Sequence, residues 1–467
     1  MKLAILLVTA GFLIAAYRKN KSISDPYVAF NILWVGVAAL INIGNKYVYE
    51  PSTTAMVCIL VGIIGFNLSR FTPRLVFGKR KLGIFQSDEY VINYHRAYVI
   101  SIVVLILSAV SAASAIQAFL GGASFSSIRS DYYTYTSGES VYMYYFRNYI
   151  LSPLRYVVII TAIIGVIKKE KVSKWLLINT IGIIILQAIT SGGRYVLMNT
   201  IFMMLCGYSL FGDKDRITAK QKIIIVGVVA LFSYAIVFLT NDRVSYITQS
   251  MTVGERLYHT VYEYFAGSTT YMGEVVNKTP SIVGSTYGIN FVAGFIIPIF
   301  VVLNFLHLLP YPAVFSVIGT YACEVLRIGP ATYYNAMPTI FGYFFIDGGF
   351  ALVFIEAWLF GYFCKRLYLR SKSGNLLMSA MFILIFIQIC NSSTRWFFYS
   401  SEYCMAYLYL NAVISKSLGG GYALLVLLAI GELVWNAYGD KLKKCFAEIR
   451  DNCYDVVLLV GKRGGIA

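Results

Sequence analysis

The chain has 467 residues, of which 58% are hydrophobic and 13% charged, and its mean hydropathy is +0.69. This composition excludes an ordinary soluble domain, and the continuous apolar runs exclude a membrane β-barrel, whose strands would alternate in pieces of about ten residues. The formal net charge of +17 would suggest a nucleic-acid partner in a soluble protein, but most of the excess lies in short loops between apolar runs, so we expect none.

Apolar runs recur along the whole chain and predict membrane-spanning helices. A helix needs about 20 apolar residues to cross a hydrocarbon core of about 30 Å, and shorter runs rely on interfacial flanks. The first run is expected to remain as an anchor, because Arg18, Lys19 and Lys21 follow it directly. The sequence predicts one all-α polytopic membrane domain over 1–467, with roughly 11 to 14 transmembrane helices. The predicted spans are 3–17, 27–43, 53–68, 97–119, 149–167, 175–190, 195–211, 223–239, 291–309, 346–364, 376–390, 396–414 and 422–435.

Clusters of Lys and Arg orient these spans, because cytoplasmic loops retain positive charge. Basic loops follow the first, third, fifth and seventh predicted spans, so the N-terminus is expected outside. The same alternation places outside the segment 121–148, the turn 191–194 and a long loop at 240–290. The side of the tail 437–467 stays open, because a last span would leave its lysines outside.

The run 291–309 has two interpretations. Lys365 and Arg366 mark the next cytoplasmic loop, so a crossing at 291–309 would require a second crossing before residue 327. The alternative is a re-entrant or interfacial segment, which Pro298 and Pro310 would permit because each interrupts a helix.

Two arginines close polar turns on the expected outer side. Arg194 ends the turn that begins at Ser191 and directly precedes Tyr195, and Arg395 ends the turn that begins at Asn391. A guanidinium offers a permanent charge and a planar fork of donors that suits pyrophosphate oxygens. The alternative is that each arginine reaches the membrane interface or caps a helix.

The long outer loop contains Arg243 and then a segment with helical spacing. Arg256, His259 and Glu263 fall at i, i+3 and i+7, so a helix would place them on one face. A cation, an imidazole and a carboxylate together can hold a phosphate and move a proton at neutral pH. The alternative is an amphipathic interfacial helix with a contact between Glu255 and His259.

Two further features are candidates for substrate binding. Asn335 precedes Asp347-Gly348-Gly349 by a short segment, and Asp347 could instead favour the positive end of a helix that begins there. The chain has 38 tyrosines, Tyr195 and Tyr262 among them. An aromatic belt at the membrane interface explains such abundance, and stacking against sugar rings is the functional alternative.

The layout resembles the Wzy-type oligosaccharide repeat-unit polymerases, which build O antigens and capsules in bacterial envelopes. The similar features are Ser191-Gly192-Gly193-Arg194 before the span 195–211, Asn335-Ala336-Met337-Pro338-Thr339 followed by Asp347-Gly348-Gly349, the turn 391–395 and the long outer loop. Family members usually carry an aromatic residue between that Asp and a single Gly, whereas Gly348 directly follows Asp347 here. The resemblance covers roughly residues 175–414.

The resemblance implies a GT-C-like fold in the bacterial cytoplasmic membrane and a glycosyltransferase site that faces outward. Polyprenyl-pyrophosphate-linked oligosaccharides would be donor and acceptor, with undecaprenyl pyrophosphate released. A chain-length regulator and a flippase would be partners, membrane lipid would surround the protein, and no metal or cofactor would be required. Four arginines would bind the pyrophosphate, and His259 or Glu263 would assist the acceptor; those arginines are Arg194, Arg395, Arg243 and Arg256.

Two other classes stay open. A glycan ligase would move a finished glycan from the same lipid carrier onto a different acceptor. A transporter or lipid flippase would carry out no chemistry, and such proteins place charges in broken helices near the middle of the membrane. The sequence has no phosphate loop and no HExxH motif, which disfavours a nucleotide-driven or zinc-dependent mechanism.

Overall fold

The computed structural model describes residues 1–73, 90–123, 127–128, 141–191, 195–212, 251–334 and 338–415. The helices are α1 Lys2–Asn20, α2 Pro26–Ile43, α3 Thr53–Leu68, α4 Tyr94–Leu120, α5 Val141–Phe146, α6 Ser152–Ile167, α7 Lys174–Ser191, α8 Tyr195–Phe211, α9 Val253–Phe265, α10 Gly267–Lys278, α11 Ala293–Phe305, α12 Ile340–Lys372, α13 Leu376–Cys390 and α14 Ser401–Val413. The short strands are β1 Val91–Ile92, β2 Leu326–Arg327, β3 Tyr333–Tyr334 and β4 Ile414–Ser415. A π-helical turn, Arg147–Leu151, joins α5 to α6.

Seven helices in the described ranges are long and apolar enough to cross a membrane. This confirms the coarse prediction of an all-α polytopic membrane protein. The predicted bounds of α3, α8 and α13 match the structure, whereas the predicted spans 223–239 and 422–435 lie outside the described residues. The seven are Lys2–Asn20, Pro26–Ile43, Thr53–Phe71, Tyr94–Leu120, Tyr144–Ile167, Lys174–Ser191 and Ile340–Lys372.

Glycines bring α3 and α12 into backbone contact. A Cβ built on Gly65 would lie 2.6 Å from the carbonyl oxygen of Phe354, and one on Gly361 would lie 2.6 Å from that of Phe66. Small residues allow such close approach. In a membrane the lipid is as apolar as the side chains, so helices associate largely through the dispersion contacts that close packing provides. The backbones of α3 and α12 therefore pack directly against each other.

Helix α12 is broken at Gly348 and Gly349. Gly349 has φ 65° and ψ −158°, a conformation that side-chain-bearing residues rarely adopt. Phe341 packs on Gly62 and Phe354 on Gly65, although residues 13 apart in a straight helix would be about 20 Å apart. The two halves of α12 thus fold toward each other at the break. The span was predicted to begin at residue 346, but the helix begins at Ile340, where the Thr339 side chain caps it.

The contacts of the segment around α11 indicate that it is re-entrant. α11 has 13 residues and is about 20 Å long, which is too short to cross a membrane by itself. Gly294, near its start, packs against the carbonyls of Phe398 and Ser400, and Phe315, on the returning chain, accepts a hydrogen bond from the Tyr399 hydroxyl. Entry and return therefore meet at the same place, which favours the re-entrant alternative for 291–309.

The described part of the predicted long outer loop is folded. α9 and α10 pack on the turn between α2 and α3, where Tyr258 donates to the carbonyl of Gly44 and Thr270 to that of Tyr49. The β2–β3 hairpin covers the same turn, because Thr332 donates to the carbonyl of Tyr47 at 2.6 Å. These elements form one cap at this end of the bundle.

The start of α4 and the end of α14 meet at another point of the bundle. Strands β1 and β4 pair antiparallel with Val91 opposite Ser415, and the Arg96 Nη1 donates to the carbonyl of Ala412 at 3.4 Å. The predicted alternation places both helix ends on the same side, and this pairing is consistent with it.

Candidate functional site

Arg395 lies in the turn between α13 and α14 with its guanidinium surrounded by aromatic rings. The guanidinium carbon is 5.4 Å from the ring centre of Tyr195, 4.8 Å from that of Phe397 and 5.8 Å from that of Tyr403. Ring faces attract a cation, most strongly where water is scarce. The rings therefore hold the guanidinium in one place and leave part of its donor edge for other partners.

Buried polar side chains fix this turn. Asn391 donates to the carbonyl of Ile387 at 2.8 Å and to the side-chain oxygen of Asn199 at 3.0 Å. The Ser392 hydroxyl accepts from the indole of Trp34 at 2.9 Å, and its carbonyl accepts from the backbone N–H of Ile340 at 3.0 Å. Asn391 and Ser392 are buried, because their backbone and side chains are hydrogen-bonded to three other helices.

Glu402 is the charged partner of Arg395. Its Oε1 lies 3.5 Å from the Arg395 Nη2, and the two side chains are 21% and 29% exposed. Glu402 also lies in the first turn of α14, where the helix dipole favours a negative charge. Arg155 and Arg147 act electrostatically on the same carboxylate. The positive charges of three guanidinium groups therefore act on one carboxylate.

A network of hydroxyl and amide groups forms the wall behind this ion pair. Tyr156 donates to the hydroxyl of Tyr403 at 2.7 Å, and Asn199 donates to the same hydroxyl at 3.3 Å. Phe397 and Tyr403 stack with their ring centres 4.0 Å apart and their planes 3° from parallel. This network fixes the positions of the Arg395 and Glu402 side chains relative to each other.

Tyrosines continue the site toward α5. Tyr145 and Tyr149 stack with ring centres 5.3 Å apart, and the Arg147 guanidinium lies 5.8 Å from the ring centre of Tyr144. Tyr311, on the re-entrant segment, interacts electrostatically with Tyr144 and Tyr145. Arg147 begins the π-helical turn, a deviation from α-helix that is frequent at functional sites. The arrangement offers flat apolar faces rimmed by hydroxyl groups.

The structure brings two of the predicted site residues, Tyr195 and Arg395, together. Three other predicted site residues, Arg194, Arg243 and Asn335, lie outside the described residues. The chemistry of those three stays a prediction.

The predicted set on the long outer loop forms a separate group. α9 is a helix, and Thr252 and Glu255 form a capping box at its start. His259 is buried; its Nδ1 lies 3.4 Å from the side-chain nitrogen of Asn45, and its ring packs edge-on against Tyr47. Burial lowers the pKa of the His259 imidazole.

The remaining α9 candidates differ in their burial and contacts. Tyr262 is buried, Arg256 is half-buried and Glu263 interacts electrostatically with Tyr334 of the β2–β3 hairpin. The alternative contact between Glu255 and His259 is not formed, because Glu255 bonds to Thr252 and Lys46 instead.

Asp347 is used inside the protein. Its carboxylate accepts from the Thr286 hydroxyl at 2.5 Å and from the backbone N–H groups of Asn290 and Phe291 at 3.1 and 3.2 Å. These bonds hold the turn 289–291, whose carbonyls accept from the indole of Trp396. Asp347 is the last residue before the break in α12, next to the start of its second half, and through the turn 289–291 it supports Trp396, the residue next to Arg395.

Sequence reasoning did not single out Glu402, Arg147, Arg155 or Tyr403. A signal was present, because Glu402 is an ionisable residue within the predicted span 396–414, and such residues are costly in a membrane unless they have a function. Arg155 gives the same signal within the predicted span 149–167.

No protein-family model matches the chain, and no curated protein or solved structure matches it at a significant level.

Proposed function

We propose that the chain is a membrane glycosyltransferase that polymerises polyprenyl-pyrophosphate-linked oligosaccharide repeat units. The product would be an O antigen or capsular polysaccharide, made on the outer face of the bacterial cytoplasmic membrane. One observation carries the proposal: Arg395 is held by three rings beside Glu402, where the charges of Arg147 and Arg155 act as well.

The arginines fit the leaving group of this reaction. A hydroxyl of the acceptor sugar forms a bond to the anomeric carbon of the donor while the bond from that carbon to the pyrophosphate oxygen breaks. Negative charge then collects on the polyprenyl pyrophosphate that departs. Arg395 donates to those oxygens, and Arg147 and Arg155 add positive potential, which stabilises the transition state without a metal.

Glu402 is the proposed acceptor of the proton. The attacking hydroxyl must lose its proton, and a carboxylate 3.5 Å from the guanidinium that binds the leaving group lies within reach of the reacting atoms. His259 contacts Asn45 and Tyr47 in the described structure, at the cap rather than at Arg395. We therefore assign proton transfer to Glu402, and we keep His259 and Glu263 as proposed contacts for the acceptor.

The tyrosines provide the proposed sugar-binding surface. Aromatic faces match the apolar faces of sugar rings, and phenolic hydroxyls at their edges form hydrogen bonds with sugar hydroxyls. Tyr144, Tyr145 and Tyr311 lie close to one another, with Tyr144 47% exposed and Tyr311 38% exposed. An oligosaccharide could lie there while its pyrophosphate reaches Arg395.

The test replaces Arg395 by Ala and by Lys and measures polymer length on gels, in cells that carry the lipid-linked repeat unit. We expect Arg395→Ala to abolish long polymer and Arg395→Lys to retain a small part of it, because Lys keeps the charge but not the fork. Arg18→Ala, at the exposed end of α1, is the matched control and should leave polymer length unchanged. Normal polymer from Arg395→Ala at normal protein level would refute the proposal.

The same experiment separates a polymerase from a ligase. Loss of a polymerase leaves single repeat units attached to the final acceptor. Loss of a ligase leaves long polymer on the lipid carrier, never attached.

A transporter is the second candidate, and the broken helix α12 favours it. Transport proteins often place ionisable groups at helix breaks in the membrane, and Asp347 and Glu356 are both buried there within reach of each other. Purified protein in liposomes distinguishes the two. A transporter moves the lipid-linked oligosaccharide across the bilayer with its length unchanged, whereas the proposed enzyme lengthens it.

A further inference from the structure

A second site lies near the far end of α12. The Arg395 turn contacts the first residue of α12, whereas residues after Trp358 and the turn that follows α3 line an open cavity of about 460 Å³. Lys365, Arg366 and Arg370 line it together with Thr72, Tyr362 and Leu369, and no described residue of its lining is acidic. The cavity shares no residue with the Arg395 cluster.

Hydrogen bonds fix the positions of residues around this cavity. The Lys365 Nζ donates to the carbonyl of Arg70 at 2.8 Å and to that of Thr72 at 3.1 Å. The Trp358 indole donates to the Thr72 hydroxyl at 2.9 Å and stacks on Tyr362 with ring centres 6.1 Å apart. These hydrogen bonds hold the turn that follows α3 against α12, and they fix the ammonium group of Lys365 at the edge of the cavity.

The same face of α12 continues as an apolar stripe. Ile355, Leu359, Tyr362, Arg366 and Leu369 follow one another at spacings of four and three residues, so they lie on one side of the helix. Ile355 is 46% exposed and Leu359 38% exposed. Along the helix this face therefore changes from exposed aliphatic side chains, through a tyrosine, to guanidinium groups.

We propose that this site binds an anionic glycerophospholipid. Its phosphate enters the cavity and accepts from Arg366 and Arg370, while an acyl chain lies along Ile355 and Leu359. Arginine forks suit phosphate oxygens, and basic pockets between membrane helices on the cytoplasmic side bind anionic headgroups. By the positive-inside rule this end of α12 faces the cytoplasm, where the leaflet supplies such lipids. Free phosphate would use the cations but not the apolar stripe.

The test uses the full-length protein purified in detergent and titrated with phosphatidylglycerol or phosphatidylcholine, with bound lipid counted by native mass spectrometry. We expect preferential retention of phosphatidylglycerol. The variant Arg366→Gln/Arg370→Gln should bind it about thirty-fold more weakly, since each surface cation contributes about 1 kcal/mol. The matched control, Lys169→Gln/Lys171→Gln, removes two exposed cations from another basic loop and should bind as the wild type does.

Further variants separate this site from a general effect of charge or folding. Arg366→Lys/Arg370→Lys keeps both charges and should retain most of the binding, which excludes a folding defect as the cause of loss. Leu359→Gln should weaken lipid binding as well. Equal losses in both Gln double variants, or displacement of the lipid by inorganic phosphate at similar concentration, would overturn the proposal. So would equal retention of the two lipids.

Discussion

At the residue scale, the ion pair between Arg395 and Glu402 is useful because it is incomplete. Within the described residues, one carboxylate oxygen lies 3.5 Å from the Arg395 Nη2, which leaves other donors of the guanidinium for a second anion. The aromatic rings around it exclude water and strengthen electrostatic interactions without competing for those donors. In the proposed reaction a diphosphate would bind at Arg395 while Glu402 stays close to the attacking hydroxyl.

Replacing Glu402 by Gln tests its role in the proposed reaction. The amide keeps the size of the side chain but cannot take a proton, so we expect kcat to fall by about 100-fold or more while KM for the donor changes little. The measurement is chain elongation by purified protein on lipid-linked repeat units. Glu324→Gln, at an exposed ion pair with Lys278, is the control and should have normal kcat. An unchanged kcat in Glu402→Gln would remove Glu402 from proton transfer.

His259 makes stability depend on pH. Burial lowers its pKa, so the unfolded chain, in which the pKa is about 6.5, binds the proton more tightly than the folded chain. The contribution of the neutral imidazole to the stability of the folded protein is therefore fully present above about pH 6.5 and is lost as the pH falls below that value. We expect the wild type to lose more thermal stability between pH 7 and pH 5 than His259→Gln does. Equal losses in the two proteins would contradict this.

At the element scale, α12 performs two tasks that a straight helix could not. Its first half reaches the Arg395 turn through Ile340, and its second half packs on α3 through glycine contacts. The break at Gly349 allows both, and Asp347 beside it fastens the turn 289–291, which supports Trp396.

The break should not tolerate a side chain. Gly349 has φ 65°, and although the nearest atom to a Cβ there would be 3.8 Å away, an alanine would strain the backbone. We expect Gly349→Ala to destabilise the protein by about 1–3 kcal/mol, measured as a lower thermal midpoint. Gly36→Ala, in an open part of α2 with nothing within 4 Å, is the control and should be neutral or slightly stabilising. Equal midpoints would show that the backbone at 349 is not strained.

At the scale of the whole molecule, the sequence predicted what depends on local hydropathy. The bounds of α3 and α13 were correct because a run of apolar residues between polar ones determines both ends of a helix. The break in α12 and the re-entrant path of α11 were not determined this way, because they depend on which distant residues pack together. Tyr195 and Arg395 were chosen for their chemistry, and only the packing of α8 against α13 places them side by side.

The remaining prediction concerns orientation, since an outward site is required for the proposed polymerase. Lys46 lies in the turn beneath the α9 cap and is 68% exposed, and Lys169 lies in a basic loop and is also exposed. By the positive-inside rule the two face opposite sides. In a variant without native cysteines, we expect Lys46→Cys to react with an impermeant maleimide in intact cells. Lys169→Cys should react only after the membrane is permeabilised. The reverse pattern would place the α9 cap in the cytoplasm and rule out a binding surface for an exported glycan there.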